Sequence, residues 1–172
     1  MSIAQKLLEE FEVQAPVTRK FLERLPEDKL DWRPHLRSMT AGQLAYHLAL
    51  VPGRVADRSQ EDVVPPPDFV FPQPATKQEI LDTFDESVAT VRKVLSGYDD
   101  ARLNGMWRIN AGDEEVLAVP RVWFLRNIML NHWYQHRGQF SVYLRMLDVP
   151  VPSSWGPSAD ERVAFQREAV EV

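Results

Sequence analysis

Apolar residues recur every three or four positions along four long stretches of the chain, the spacing produced by one face of an α-helix. The stretches begin near Ser2, at Thr40, at Thr76 and at Pro120, and the last one continues to Leu147. Amphipathic helices of this length bury their apolar faces most simply against one another. We therefore expect an all-α fold, a four-helix bundle whose longer connections permit a crossover.

Short sequence signals mark where these helices begin. Thr40 with Gln43, and Thr76 with Glu79, have the spacing of a capping box, in which the two side chains bond free N–H groups of the first turn. A third signal of this kind at Ser158 predicts a short C-terminal helix that begins there.

Prolines and glycine shape the rest of the pattern. Pro16 and Pro52 lie within the first and second helices, where a missing N–H group predicts a kink or a break. Five prolines between Val63 and Ala75 exclude a regular helix and predict a stiff, extended connection, which at this length often covers something or joins distant ends. Between Trp107 and Ala118, short alternation around a Gly-Asp pair predicts a small β-hairpin.

Composition limits the partners. The chain has 172 residues, the usual size of one domain, and we treat residues 1–172 as a single domain. Its net charge of −5 disfavours nucleic acids and anionic membranes, which bind basic surfaces. The absence of cysteine excludes disulfides and thiolate ligands, so a metal would need His, Asp or Glu. No signal peptide or membrane span is recognisable, so we expect a soluble cytoplasmic protein.

Three of the four histidines fall on apolar helix faces. His132 and His136 lie four residues apart, so their side chains are separated by about 40° around the helix axis and about 6 Å along it. His47 lies on the apolar face of the second helix, three residues after Leu44. Three inward imidazoles on two helices predict one divalent metal ion held by His47, His132 and His136. His35 follows a proline in a loop, and we expect it to face solvent.

For any one of these histidines, a core imidazole bonded to a carbonyl or a tyrosine is the alternative interpretation. The three together favour a metal, because burying three unpartnered imidazoles would cost about a few kcal/mol. With no fourth protein ligand evident, the site would be open to water or a substrate atom. Zn²⁺ and Ni²⁺ suit imidazole best, and Fe²⁺ and Mn²⁺ are compatible with it.

Two other residues of the fourth helix are candidates for catalysis. Tyr143 lies seven residues after His136 on the same face, where its hydroxyl could donate a proton near the metal; a core tyrosine is the alternative. Gln139 lies three residues after His136 and could hydrogen-bond to the ligand imidazole or to a substrate.

These residues resemble the DinB/YfiT-like family of proposed metalloenzymes, a damage-inducible family of helical bundles. The resemblance covers most of the chain, in seven blocks: Asp31-Trp-Arg-Pro34, Ser38-Met-Thr40, His47-Leu-Ala49, His132-x-x-x-His136-Arg-Gly-Gln139, Tyr143-Leu-Arg145, Val149-Pro-Val-Pro152 and Gly156-Pro-Ser158-Ala-Asp-Glu161. It implies a four-helix bundle, often a homodimer, with a metal at the positions of His47, His132 and His136. Gln135 departs from the pattern, since many relatives carry histidine there; this change would affect the surroundings of the ligands but not the ligands themselves.

The resemblance implies two kinds of function. In the first, the protein is an enzyme whose metal binds a low-molecular-weight thiol or a water molecule, lowers its pKa and presents it to a small-molecule substrate, as a thiol-dependent transferase or a hydrolase would. The thiol would come from outside, since the chain has no cysteine. In the second, the protein is a non-catalytic metal-binding or stress-response dimer. A pocket open to the metal favours the enzyme, whereas a sealed, four-coordinate site favours the structural role.

Overall fold

A computed structural model describes residues 1–162 of the chain. It is mostly helical, with a small three-stranded sheet, so the expected all-α class is correct for the helices and incomplete for the sheet. The helices are α1 (Ile3–Arg24), α2 (Ala41–Arg58), α3 (Lys77–Ser96), α4 (Asp100–Asn104), α5 (Arg121–Phe124) and α6 (His132–Met146). The strands are β1 (Val63–Val64), β2 (Met106–Ala111) and β3 (Glu114–Pro120). A 3₁₀ turn covers Glu27–Lys29, and a π-helical segment, Leu125–Asn131, joins α5 to α6.

The predicted caps begin α2 and α3. At α2 the capping box is complete: the Gln43 N–H donates to the Thr40 hydroxyl at 3.0 Å, and the Thr40 N–H donates to the Gln43 amide oxygen at 3.0 Å. At α3 the Glu79 N–H donates to the Thr76 hydroxyl, but the Glu79 carboxylate accepts from the N–H of Ala75, one residue before the expected partner. Both contacts supply first-turn hydrogen bonds that the helix itself lacks.

Pro16 and Pro52 lie inside α1 and α2 without breaking either helix. Proline lacks an N–H group, so the carbonyl four residues earlier loses its helical donor. Pro16 is on the exposed side of α1, where water can bond the freed carbonyl. Pro52 is buried, and the carbonyl that it frees, on Leu48, receives a side-chain donor from α6. The breaks that were one of the two expected outcomes are absent, and each freed carbonyl has a partner available.

The fourth predicted helix follows one helical path in three parts, with the π-helical segment between α5 and α6. In a π-helix each N–H group bonds five residues back, so a turn holds more residues than in an α-helix. The following side chains are therefore rotated around the axis relative to a count of 3.6 residues per turn. His132 and His136 are half-buried, and the fully buried side of α6 carries other residues: Trp133, Arg137, Phe140, Tyr143 and Leu144.

The predicted hairpin is present and belongs to a larger sheet. Strands β2 and β3 pair antiparallel, and a two-residue turn joins them, with Gly112 at φ 64° in the left-handed region that suits glycine. Strand β1, the first two residues of the proline-rich stretch, pairs parallel with β2.

At the other end of the described chain, residues 158–162 are not helical, so the predicted C-terminal helix does not begin at Ser158. The rest of that prediction lies outside the described residues.

Aromatic side chains tie the long helices together. The rings of Phe11 from α1 and Phe84 from α3 lie 5.3 Å and 6.3 Å from the indole of Trp133 on α6, and both stack on it. Helix α2 packs against α3 and α6, and α1 packs against α3 and α6. The start of α6 is therefore fixed in the core beside the two histidines that it carries.

Within residues 1–162, no helix combines the length and apolar character needed to cross a membrane.

Candidate metal centre

Helices α2 and α6 supply the histidine side chains. His47 lies in the second turn of α2, whose start is fixed by the Thr40 cap, and α6 begins at His132 with His136 one turn later. The four-residue spacing on α6 places the last two imidazoles on one side of the helix. The geometry of the centre therefore depends on how α2 and α6 are aligned.

A hydrogen bond enabled by proline aligns the two helices. The indole Nε1–H of Trp133 donates to the carbonyl oxygen of Leu48 at 2.9 Å, and this carbonyl is free because Pro52 has no N–H to offer it. Leu48 follows His47 and Trp133 follows His132 in the chain. This buried bond thus holds the histidine-bearing turns of α2 and α6 at the same level.

The three histidines converge. One nitrogen from each of His47, His132 and His136 lies within 4.8 Å of the other two. The Nε2 atoms of His132 and His136 are 2.9 Å apart, and the ring of His47 lies 5.2 Å and 4.7 Å from these two rings, measured between centroids. Ligands of one ion lie no further apart than twice a metal–nitrogen bond, about 4.2 Å, so the nitrogens are at or near bonding positions.

Burial favours the uncharged form of two of the histidines, His47 and His132. Desolvation lowers the pKa of His47 from 6.5 to about 4, with smaller contributions from the neighbouring His136 and His132. Desolvation also lowers the pKa of His132, with His136 adding to the shift. A metal bonds only to unprotonated imidazole. At neutral pH these two rings are therefore in the form that a metal requires.

Two buried nitrogens of the cluster have no hydrogen-bond partner in the protein, Nε2 of His47 and Nδ1 of His132. An unpartnered buried polar atom costs free energy, and a bound cation would remove that cost for a ligand nitrogen. Within residues 1–162 the cluster contains no carboxylate, so its donor set is three imidazoles. This set fits a borderline divalent ion such as Zn²⁺ or Ni²⁺.

The two catalytic candidates lie in different surroundings. The amide oxygen of Gln139 is 2.9 Å from Nδ1 of His136, which places Gln139 behind a candidate ligand. The hydroxyl of Tyr143, which is buried, donates to the backbone carbonyl of Met39 at 3.2 Å, and its ring meets Trp32 edge-on. His35 is exposed and lies outside the cluster, as expected.

Arg137, directly after His136, anchors α6 to α1. Its guanidinium donates to the side-chain oxygen of Gln14 at 2.8 Å and to the hydroxyl of Thr18 at 3.2 Å, and it lies 5.3 Å from the ring centre of Tyr134. Arg137 is 3% exposed, and its burial was not expected from the sequence. The sequence did contain one signal for this burial: Arg137 is a charged residue on a side of α6 that is otherwise apolar.

The proline-rich stretch passes over the cluster. The ring of Phe71 lies 5.5 Å from the ring of His47, centroid to centroid, and the Gln43 amide donates to the Phe71 carbonyl at 2.9 Å. We expected a loop of this length to cover something, but no feature of the sequence connects Phe71 with His47. Gln43 was predicted only as a helix cap.

Comparison with known proteins places this chain in a family. The model of the DinB superfamily matches residues 10–140 of the chain. The uncharacterized protein YrdA of Bacillus subtilis (strain 168) is 27% identical over 163 residues, which cover 94% of this chain and 93% of that protein.

Solved structures resemble the fold as well. A DinB-like protein from Bacillus cereus ATCC 10987 has a TM-score of 0.70 at 21% identity and covers 88% of this chain and 97% of its own. The DinB-like protein YjoA of Bacillus subtilis has a TM-score of 0.64 at 18% identity and covers 92% and 99% of the two chains.

Proposed function

Because the chain belongs to the DinB superfamily, we propose that it binds one divalent metal ion, Zn²⁺ or Ni²⁺, through His47, His132 and His136 and acts as an enzyme on a small molecule. The observation that carries the proposal is the convergence of three imidazoles from two helices, with a buried Nε2 on His47 that has no protein partner. A bound ion would supply Lewis acidity, lowering the pKa of a coordinated water or thiol.

The residues around the site support distinct roles. In the arrangement with the Gln139 amide oxygen facing His136, that oxygen accepts a hydrogen bond from Nδ1–H, which leaves the lone pair of His136 on Nε2 for the metal. We propose Gln139 as the residue that orients this ligand. Tyr143 is proposed as a proton donor, a role that requires its hydroxyl to leave the carbonyl of Met39.

Two observations favour catalysis over a purely structural role. The three histidines are half-buried, so the site lies at the edge of the core and not at its centre. With three imidazoles and no carboxylate in the described cluster, an ion of coordination number four or more keeps a position for water or substrate. A metal-stabilised, non-catalytic dimer would have no use for that position.

The proposed reaction class is transfer of a low-molecular-weight thiol, with metal-dependent hydrolysis as the alternative. In the transfer, the thiol sulfur forms a bond to an electrophilic carbon, the bond from that carbon to its leaving group breaks, and the thiol proton goes to solvent. The thiol must be a cosubstrate because the chain has no cysteine. Thiol transfer is tested by incubating the metal-loaded protein with a small thiol and an aryl halide. Hydrolysis is tested by incubating it with an ester or an amide instead of these two reagents.

Metal content tests the site itself. Protein prepared without an affinity tag is analysed by elemental mass spectrometry as wild type and as His47→Ala, His132→Ala, His136→Ala and His35→Ala. We expect about one divalent ion per chain in the wild type and in His35→Ala, and none in the other three variants, with helical circular dichroism retained. Loss of metal in His35→Ala, or its retention in all three cluster variants, would overturn the ligand assignment.

The same proposal covers the assembly. We propose a single domain in which α1, α2, α3 and the helical path that ends in α6 form a four-helix bundle, with the long α2–α3 connection as the crossover. We further propose a homodimer, which analytical ultracentrifugation at micromolar concentration tests; a monomer there would contradict it.

A further inference from the structure

One aromatic side chain lies against the proposed metal site. Phe71 is the one ring other than His132 and His136 that packs on His47 in the described part of the chain. Its side chain remains 39% exposed, so one part of the ring contacts His47 while another part is open to solvent. A molecule that enters the site from outside would find this open part of Phe71 beside the histidines.

Phe71 is held in place by its neighbours. The Gln43 amide donates to the carbonyl of Phe71, and the hydroxyl of Thr40 donates to the side-chain oxygen of Gln73 at 2.6 Å. The Gln73 amide in turn donates to the carbonyl of Leu30 at 3.3 Å. The segment that carries Phe71 is therefore bound to the first turn of α2, the helix that carries His47.

Glycine allows this close contact. A Cβ atom at Gly42 would lie 2.8 Å from the side-chain nitrogen of Gln73, 2.9 Å from the carbonyl oxygen of Leu30 and 3.2 Å from Pro74. Because the first two distances are shorter than real Cβ contacts, a side chain at position 42 would displace the Gln73 side chain or the Leu30 carbonyl and disturb the hydrogen bond between them.

We propose that Phe71 is a specificity-determining residue, which selects metal ligands that carry an aromatic group next to their metal-binding atoms. This inference rests on the proposed metal site. An aromatic ring on the ligand can stack on the exposed part of Phe71 and displace water from it. The segment 65–72 carries one charged residue, Asp68, so this segment offers little to a charged substituent.

Two hydroxamates isolate this effect, since they share one metal-binding group. Acetohydroxamate carries a methyl group and benzohydroxamate carries a phenyl ring. Isothermal titration of Zn²⁺-loaded wild type should show that benzohydroxamate binds more tightly. In Phe71→Ala the preference for benzohydroxamate should fall by about fivefold, a typical effect of losing one aromatic pair. The affinity for acetohydroxamate should stay within about twofold, because its contacts are made to the metal.

The segment supplies its own control. Phe69 is 78% exposed and makes no ring contact with the histidines in the described structure, so Phe69→Ala should keep the wild-type preference. Gln43→Glu keeps an oxygen that can cap α2 but loses the N–H that holds the carbonyl of Phe71. It should reduce the preference without removing the ring.

The outcomes separate this inference from the metal site. An unchanged preference in Phe71→Ala, an equal loss in Phe69→Ala, or no binding of either hydroxamate to Zn²⁺-loaded wild type would overturn the role of Phe71 and leave the metal site standing. A wild type that takes up no Zn²⁺ in a direct metal titration would overturn the metal site, and this inference with it.

Discussion

Acidification should destabilise the metal-free protein between pH 7 and pH 5, and His47 should account for a measurable part of the loss. The pKa of this imidazole is lowered from 6.5 to about 4 in the folded chain, chiefly by burial. Between those values the unfolded chain binds a proton on His47 that the folded chain does not bind. Stability is therefore fully present above pH 6.5 and declines as the pH falls toward 4.

The size of the loss follows from the shift. For a pKa of 4 in the folded state and 6.5 in the unfolded state, the linkage relation gives about 2 kcal/mol at pH 5 relative to pH 7. His47 is only half-buried, and solvent screening reduces the expected contribution to about 1 kcal/mol. His132, whose pKa is also lowered, adds a loss of the same sign.

Urea unfolding followed by circular dichroism measures this loss. The protein is freed of metal with EDTA and unfolded at pH 7 and at pH 5 as wild type, His47→Leu and His35→Leu. We expect the decrease in unfolding free energy to be about 1 kcal/mol smaller in His47→Leu than in wild type. His35 is exposed and outside the cluster, so His35→Leu should match wild type.

Two carboxylates paired with arginine, Glu12 and Asp160, contribute little to the loss of stability between pH 7 and pH 5. The pKa of Glu12 is held below its usual 4.5 by Arg92, and that of Asp160 is held below 3.8 by Arg145. These groups therefore lose their stabilisation mainly at pH values lower than 5. Equal losses of unfolding free energy in wild type and His47→Leu between pH 7 and pH 5 would refute the claim that His47 stays neutral in the folded chain.

Three further predictions concern the metal and the packing. Added Zn²⁺ should raise the unfolding midpoint at pH 8 more than at pH 5.5, because protons compete for the imidazoles; an equal rise at both pH values would contradict histidine ligation. In a chelator-competition assay, Gln139→Ala should weaken metal binding about 10- to 100-fold, while Gln135→Ala, on the exposed side of α6, should not. In urea unfolding, Gly53→Ala should lower the unfolding free energy by about 2–3 kcal/mol, since its Cβ would lie 2.7 Å from Cα of Ser87. Gly97→Ala, with no such neighbour closer than 3.5 Å, should lower it by about 0.5 kcal/mol or less. Similar losses in the two variants would contradict this account.

Local patterns predicted most of the helices and the histidines that meet. Capping boxes such as Thr40 with Gln43 depend on residues three apart, and the hairpin around Gly112 depends on a two-residue turn, so both can be recognised in a short window of sequence. The spacing of His132 and His136, with His47 on another apolar face, indicated one cluster because helical periodicity fixes which side chains share a face.

What the sequence did not predict depends on contacts between distant segments. Phe71 lies 24 residues after His47, and no periodicity links a proline-rich loop to a particular helix face. The π-helical segment 125–131 carries residues that suit an ordinary α-helix, so its wider turns could not be foreseen. His132 and His136, which were expected on the buried stripe, lie half-buried at its border.

The proline-rich segment has a consequence for how this protein can change over evolutionary time. Residues 65–72 are all exposed and contribute no side chain to the core, while the side chains that hold this part of the chain to α2 belong to Thr40 and Gln43 at the start of the helix and to Arg58 at its end. Substitutions there therefore put little folding free energy at risk. Lineages, or a laboratory library that randomises residues 66–71, can vary the surface beside His47 while the histidines and their supporting helices stay as they are.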